Sequence, residues 1–253
     1  MIIDAAIQSD GPELRSLWSE AFGDEDEFIN LFFRTAFDTK RSRCVKVDGK
    51  VKAVLYWFDC LYEGAQIAYI YAVATAKDYR GRGLCSALME DTHCHLASLG
   101  YRGCVLVPEG ENLFLFYKKL GYATCAFVSE FSCLASNVKT EIRQIDMGEY
   151  AKLRRFYLQK NGVIQENENL KFLQAQASFY MGDGFLLAAR REEDTLCGVE
   201  LLGNAEMASS IVKTLECANG RFRVPGKDIP FAMYRALNDD KMLPPEYFGL
   251  AFD

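Results

Sequence analysis

The chain has 253 residues, half of them hydrophobic, and its 29 Lys and Arg stand against 35 Asp and Glu for a net charge of -6. Eighteen Phe, 13 Tyr and two Trp exclude a disordered or collagen-like chain, because solvated polypeptides carry far less buriable aromatic surface. Basic residues number 14 against 18 acidic ones in residues 1–135 and 15 against 17 in 136–253, so neither half offers the cationic footprint of a nucleic-acid partner.

A first strand is predicted over residues 2–7. Ser9-Asp10-Gly11-Pro12 then joins an N-cap residue to a proline suited to a first helical turn. Leu14, Leu17, Trp18, Ala21 and Phe22 give the helix that follows one apolar stripe, closed by Gly23. Residues 24–27 are all acidic, which suits a second helix start, with Phe28, Leu31, Phe32 and Ala36 inward. Residues 45–47 and 50–53, joined by Asp48-Gly49, predict a hairpin on a type I′ turn. The second strand runs on towards Asp59, and Glu63-Gly64 turns the chain into a strand over 66–75. A helix over 82–99, ended by Gly100, places Leu84, Leu88, Leu96 and Leu99 inward. Residues 104–107 read as an interior strand, 112–120 as a short helix closed by Gly121, and 122–134 as one long strand or a pair.

Beyond residue 136 the order recurs. A strand is predicted at 140–144, helices at 149–159 and 166–179, a hairpin of 185–191 with 196–202, a helix at 205–215, and strands at 221–224, 231–237 and 247–252. This predicts an α+β fold, a mixed and mostly antiparallel sheet flanked by helices, in two tandem copies divided as 1–135 and 136–253. Nine cysteines without a CxxC pair read as reduced thiols. With no basic-then-apolar leader and no apolar run near about 18 residues, the expectation is a cytoplasmic protein with no membrane or metal requirement.

The chemistry concentrates in Val73-Ala74-Thr75-Ala76-Lys77-Asp78-Tyr79-Arg80-Gly81-Arg82-Gly83-Leu84-Cys85-Ser86. A predicted strand passes through a glycine turn directly into a helix whose first free N–H groups face outward at the positive dipole end. Arg80 and Arg82 add formal charge, so the loop suits an anion such as a diphosphate. Neither GxGxxG nor a GK[ST] ending is present, which argues against Rossmann and Walker loops.

Arg80-Gly81-Arg82-Gly83-Leu84-Cys85 resembles the Arg/Gln-x-x-Gly-x-Gly/Ala acetyl-CoA loop of the GCN5-related N-acetyltransferase (GNAT) superfamily, and Val73-Ala74-Thr75 looks like its splayed fourth strand. Asn112, Tyr117 and Gly121-Tyr122 resemble the second signature of that family. The resemblance covers the first half and implies an N-acetyltransferase fold with acetyl-CoA as cosubstrate, acting on a primary amine of a small molecule or aminoacyl group. It implies that Val73, Ala74, Thr75, Arg80, Gly81, Arg82, Gly83, Leu84, Cys85, Ser86 and Asn112 hold the cosubstrate and that Tyr117 is the general acid. Cys85 departs from the usual Gly or Ala, which implies crowding near the phosphates with weaker but retained binding. A non-catalytic acyl-CoA-binding or sensing module stands as the alternative reading, because no general base stands out among Glu63, Glu109, Glu111, Tyr69 and Tyr71. His93 and His95, at i and i+2 of a helix, face apart and read as structural. Lys118 and Lys119 read equally as reaching the nucleotide end or as a solvated face.

Residues 136–253 lack the loop motif, and Arg221-Phe222-Arg223-Val224-Pro225-Gly226 has no helix start to hold a diphosphate. One active site per chain is expected, with the second half shaping the acceptor cleft or a homo-oligomer interface. Residues 248–253 are apolar enough to pair into the sheet, which would carry Asp253 towards the cleft as a base.

Overall fold

The computed structural model describes residues 1–158, 161–238 and 242–252. In chain order the elements are β1 (Ile2–Asp4), α1 (Gly11–Phe22), α2 (Asp26–Thr35), β2 (Ser42–Val47), β3 (Lys50–Tyr62), β4 (Ala65–Thr75), α3 (Leu84–Ser98), β5 (Gly103–Leu106), α4 (Glu111–Lys119) and β6 (Ala123–Leu134). There follow β7 (Ile142–Ile145), α5 (Met147–Tyr157), β8 (Ile164–Gln165), α6 (Glu168–Gln174), β9 (Ser178–Gly182), β10 (Phe185–Glu192), β11 (Thr195–Gly203), α7 (Ala208–Thr214), β12 (Asn219–Pro225) and β13 (Ile229–Ala236). They form two compact units: Met1–Cys60 with Gly64–Ala123 and Met233–Pro244, and Leu61–Glu63 with Thr124–Ala232 and Pro245–Asp253.

In the first unit the strands lie in the order β1-β2-β3-β4-β5, and residues 233–236 of β13 pair antiparallel with β5. Asp48 (φ 51°) with Gly49 (φ 76°), and Glu63 (φ 48°) with Gly64 (φ 77°), occupy two-residue turns that require positive φ at both positions. Side chains alternate along β3: Ala53, Leu55 and Trp57 pack with Leu84, Leu88, Met89 and Leu96 of α3. Tyr56 meets Trp18 of α1 and Phe32 of α2 at ring-centroid distances of 5.8 and 5.0 Å. With both faces covered, β3 is buried almost continuously. Leu99 is 56% exposed instead of inward. The helix ends one residue earlier, and the inward place falls to Tyr101, whose N–H donates to the Leu96 carbonyl at 3.0 Å.

The second unit orders its strands β6-β12-β11-β10-β9-β7, with β11·β12 parallel and the other pairs antiparallel. Two helices lie between β7 and β9, and one joins β11 to β12, as α3 joins β4 to β5. The helix expected over 166–179 ends at Gln174, and Ser178–Gly182 is a strand. Leu170, Leu173 and Ala177 keep a helical spacing, which hid the break, but Phe179 is held in the strand by stacking on Tyr150 at 4.2 Å. Residues 205–215 divide into a 3-10 turn, Ala205–Met207, and α7.

Residues 247–252 are not a strand. Tyr247 makes one isolated bridge to Gly162, and the Gln165 amide holds the tail instead, donating to the Leu250 carbonyl at 2.6 Å and accepting its N–H at 3.2 Å. Side-chain bonding replaces a ladder here while Phe248, Leu250 and Phe252 are buried. Asp253 lies outside the described residues. Beside the tail, the fully buried Arg154 and Glu200 form a two-pronged pair at 2.7 and 2.9 Å, and the hydroxyls of Tyr150 and Tyr247 each donate to Glu200 at 2.9 Å.

Candidate active site

β4 outruns its parallel partner. Ile67, Ala68 and Tyr69 pair with Gly103, Cys104 and Val105, β5 ends at Leu106, and β4 continues to Thr75. At about 3.3 Å per residue, roughly 20 Å of strand edge over 70–75 is left with backbone groups that β5 does not pair. Within this stretch Ala72 takes φ 47°, a left-handed conformation that kinks the strand. Val73 and Thr75 are half-buried and Ala74 is buried.

Past Thr75 the chain makes a 3-10 turn, Lys77–Tyr79, then an extended Arg80, and enters α3 through Gly81 (φ 74°) and Gly83 (φ 80°). A Cβ at either glycine would meet nothing within 4 Å, so the space before the helix is open. The Arg80 guanidinium donates to the Thr75 carbonyl at 3.0 Å, and the Lys77 N–H donates to Glu20 of α1. Tyr79 receives Arg82 and Lys52 over its ring, each 4.9 Å from the centroid. The first turn of α3 carries no acidic residue, and Ala87 is the first N–H with an intrahelical acceptor, the Gly83 carbonyl at 3.0 Å. The N–H groups of Leu84, Cys85 and Ser86 therefore remain for an external anion. Open space, free amides and cations without an opposing carboxylate in that turn fit a diphosphate.

Tyr117 is 7% exposed on α4, in the same apolar cluster as Leu84, Cys85 and Val73. Burial, and secondarily the neighbouring Cys85, raise the pKa of its phenol, which stays protonated at neutral pH. No described residue bonds its hydroxyl. Burial likewise pushes the Cys85 thiol up to about 11, so that side chain is a neutral small group in the helix's first turn. Asn112 is exposed on the first turn of α4 and is not brought against Tyr117, from which it lies five residues away. Arg80, Gly81, Arg82 and Gly83 are exposed, and Ser86 is half-buried.

Among the weaker base candidates, Glu63 sits in the turn before β4, at the opposite end of the strand from the loop. Glu109 and Glu111 are exposed around the start of α4. Tyr69 and Tyr71 join the aromatic cluster with Phe58, at 5.8 and 5.4 Å. His93 and His95 take separate partners: His93 bonds Tyr122 and Arg235, and His95 lies edge-on to Trp57. Sequence reasoning missed Glu20, Lys52 and the kink at Ala72. None carries a local motif, since each acts on the loop or its strand through tertiary placement.

The family model described as the acetyltransferase (GNAT) domain matches residues 3–125. Over those residues, just under half of the chain, the sequence is similar to the GNAT acetyltransferase domain. Solved structures resemble the chain over more than that stretch. A GCN5-related N-acetyltransferase from Kribbella flavida, 15% identical, superposes over 93% of this chain and 70% of its own with a TM-score of 0.71. One from Anabaena variabilis, also 15% identical, covers 94% and 73% with a TM-score of 0.73. A Pyrococcus horikoshii protein, 13% identical, covers 99% and 94% with a TM-score of 0.66. At these identities the likeness is one of fold, and it extends well beyond the GNAT domain. No curated protein matches the chain significantly in sequence. No helix among the described residues is long and apolar enough to cross a membrane.

Proposed function

We propose that the chain is an acetyl-CoA-dependent N-acetyltransferase that acts on the primary amine of a small molecule or aminoacyl group. The observation that carries this reading is the glycine loop: positive-φ Gly81 and Gly83 open onto the amino end of α3, directly after the unpaired edge of β4. The amides of Leu84, Cys85 and Ser86, with Arg80 and Arg82, would hold the diphosphate. The edge at Val73, Ala74 and Thr75 would align the pantetheine arm, with Asn112 assisting through its amide.

In the reaction the amine nitrogen attacks the thioester carbonyl, forming the C–N bond and a tetrahedral oxyanion. A backbone N–H on the β4 edge stabilises that charge. The nitrogen, made cationic by the new C–N bond, releases a proton to solvent or a solvent-linked base, and as the C–S bond breaks the Tyr117 phenol donates to the departing sulfur. A phenol is a weaker acid than the thiol it protects, so its contribution is a hydrogen bond to developing negative charge.

The matching strand order supports reading 136–253 as a degenerate copy without a cosubstrate site. Its β11-to-α7 junction has one glycine, Gly203, packed against the Gly184 carbonyl, followed by Asn204 and Glu206 with no arginine, and a carboxylate there repels a diphosphate. The second half would then serve acceptor selection or a homo-oligomer interface in a cytoplasmic enzyme. The test is CoA thiol release from acetyl-CoA with a panel of polyamines, aminoglycosides, amino acids and aminoacyl peptides, with Tyr117→Phe as control. Turnover that falls in the variant supports the enzyme. Acetyl-CoA binding without release across the panel favours the sensing module.

A further inference from the structure

Three interactions tie Arg235 of β13 to α3 and to the end of α4, the helix that carries Tyr117. Arg235 of β13 reaches past Gly121, where a Cβ would lie 3.6 Å from its Cδ, and donates to the Leu120 carbonyl at the end of α4 at 2.9 Å. The same Nη1 lies 2.9 Å from Glu90 and 2.7 Å from His93 Nδ1, both on α3. A guanidinium can only donate, so Nδ1 accepts, Nε2 carries the ring proton, and His93 donates through it to the Tyr122 hydroxyl at 2.8 Å. Tyr122 in turn fixes Tyr117 twice. Its N–H donates to the Tyr117 carbonyl at 3.1 Å, and its ring meets the Tyr117 ring edge-on at 5.8 Å. His93 is 2% exposed and Tyr122 2%, so the chain of bonds is shielded from competing water.

We infer that Arg235 is a positioning residue for Tyr117, acting through His93 and Tyr122 and through the end of α4. All of these residues belong to the first unit, yet Arg235 follows Tyr117 by more than a hundred positions. The inference rests on Tyr117 being the group that meets the departing sulfur. Burial and the adjacent guanidinium lower the His93 pKa to about 4, which keeps Nδ1 free to accept at neutral pH.

The experiment measures kcat and KM for acetyl-CoA with the amine turned over fastest in the panel, for Arg235→Met, His93→Leu, their double variant and Arg235→Lys, each also in a Tyr117→Phe background. Arg235→Met and His93→Leu should each lower kcat on the order of tenfold with KM for acetyl-CoA within about twofold. The double variant should lose no more than about either alone, Arg235→Lys should recover part of the loss, and none should lower kcat further once Tyr117 is Phe. Multiplying losses, a raised KM at constant kcat, or an undiminished loss in the Tyr117→Phe background overturns the inference. If Tyr117→Phe itself turns over as the wild type does, the general-acid reading fails instead. Without any acceptor, hydrogen exchange at the Tyr122 amide should quicken about tenfold or more in Arg235→Met, and an unchanged rate also overturns it.

Discussion

Glu200→Ala in the second unit should be the most destabilising single change among the buried polar residues. Arg154 is 1% exposed and Glu200 0%, and the guanidinium retains only the Val163 carbonyl at 3.1 Å and Gln165 at 3.4 Å once its carboxylate is gone. The hydroxyls of Tyr150 and Tyr247 lose their acceptor in the same step. Breaking a buried pair by removing one partner costs about 3–5 kcal/mol, because the remaining charge is left uncompensated in the interior. At about 2–4 °C per kcal/mol for a cooperative block of 150–250 residues, Tm should fall by roughly 6–20 °C. Urea unfolding followed by circular dichroism measures the free energy, and acetyl-CoA titration serves as a control that should not move. The double variant Arg154→Met/Glu200→Leu removes both charges and should be more stable than either single variant. A loss below about 1 kcal/mol for Glu200→Ala, or a double variant as unstable as the sum of the singles, would refute the reasoning.

Gly83→Val should weaken acetyl-CoA binding at least tenfold, since its side chain enters the open space before α3, whereas Gly100→Val, with a similar φ of 89° and equally free surroundings, should keep the affinity despite comparable strain. Calorimetric titration of both variants separates strain from obstruction. Tyr117→Phe should lower kcat by about 10- to 100-fold while leaving acetyl-CoA affinity within about twofold, as read by steady-state CoA release. Stability should also fall on acidification. His93 has a folded pKa of about 4 against an ordinary 6.5, so the unfolded chain binds more protons in that window. The loss from this group should reach about 2 kcal/mol between pH 7 and pH 5, above the range where the lowered Glu90 titrates. Denaturant unfolding at the two pH values checks it, and His93→Leu should flatten the slope; an unaltered slope in that variant contradicts the assignment.

Local chemistry made the first unit readable. Asp48-Gly49 and Glu63-Gly64 announce two-residue turns because few other pairs tolerate positive φ twice, and glycines at 23, 100 and 121 mark helix ends for the same reason. The loop could be found because its glycines and arginines are consecutive in sequence. What escaped depends on partners distant in the chain. Ser178–Gly182 is a strand because β7 and β10 flank it, although its approach keeps a helical spacing. The tail over 247–252 has a strand's composition and is instead held by one glutamine amide. Arg235 looks in sequence like any polar residue in an alternating strand. Only the fold reveals that it reaches Leu120, His93 and Glu90 together.

Acetyl-CoA binding, followed by thermal unfolding of the wild type and Gly83→Val side by side, tests the central claim most directly. At about 100-fold over its dissociation constant the ligand should add roughly 2.7 kcal/mol, several degrees in Tm, to the wild type and far less to the variant. No shift in the wild type at saturating acetyl-CoA, or an equal shift in Gly83→Val, would contradict the assignment of the loop.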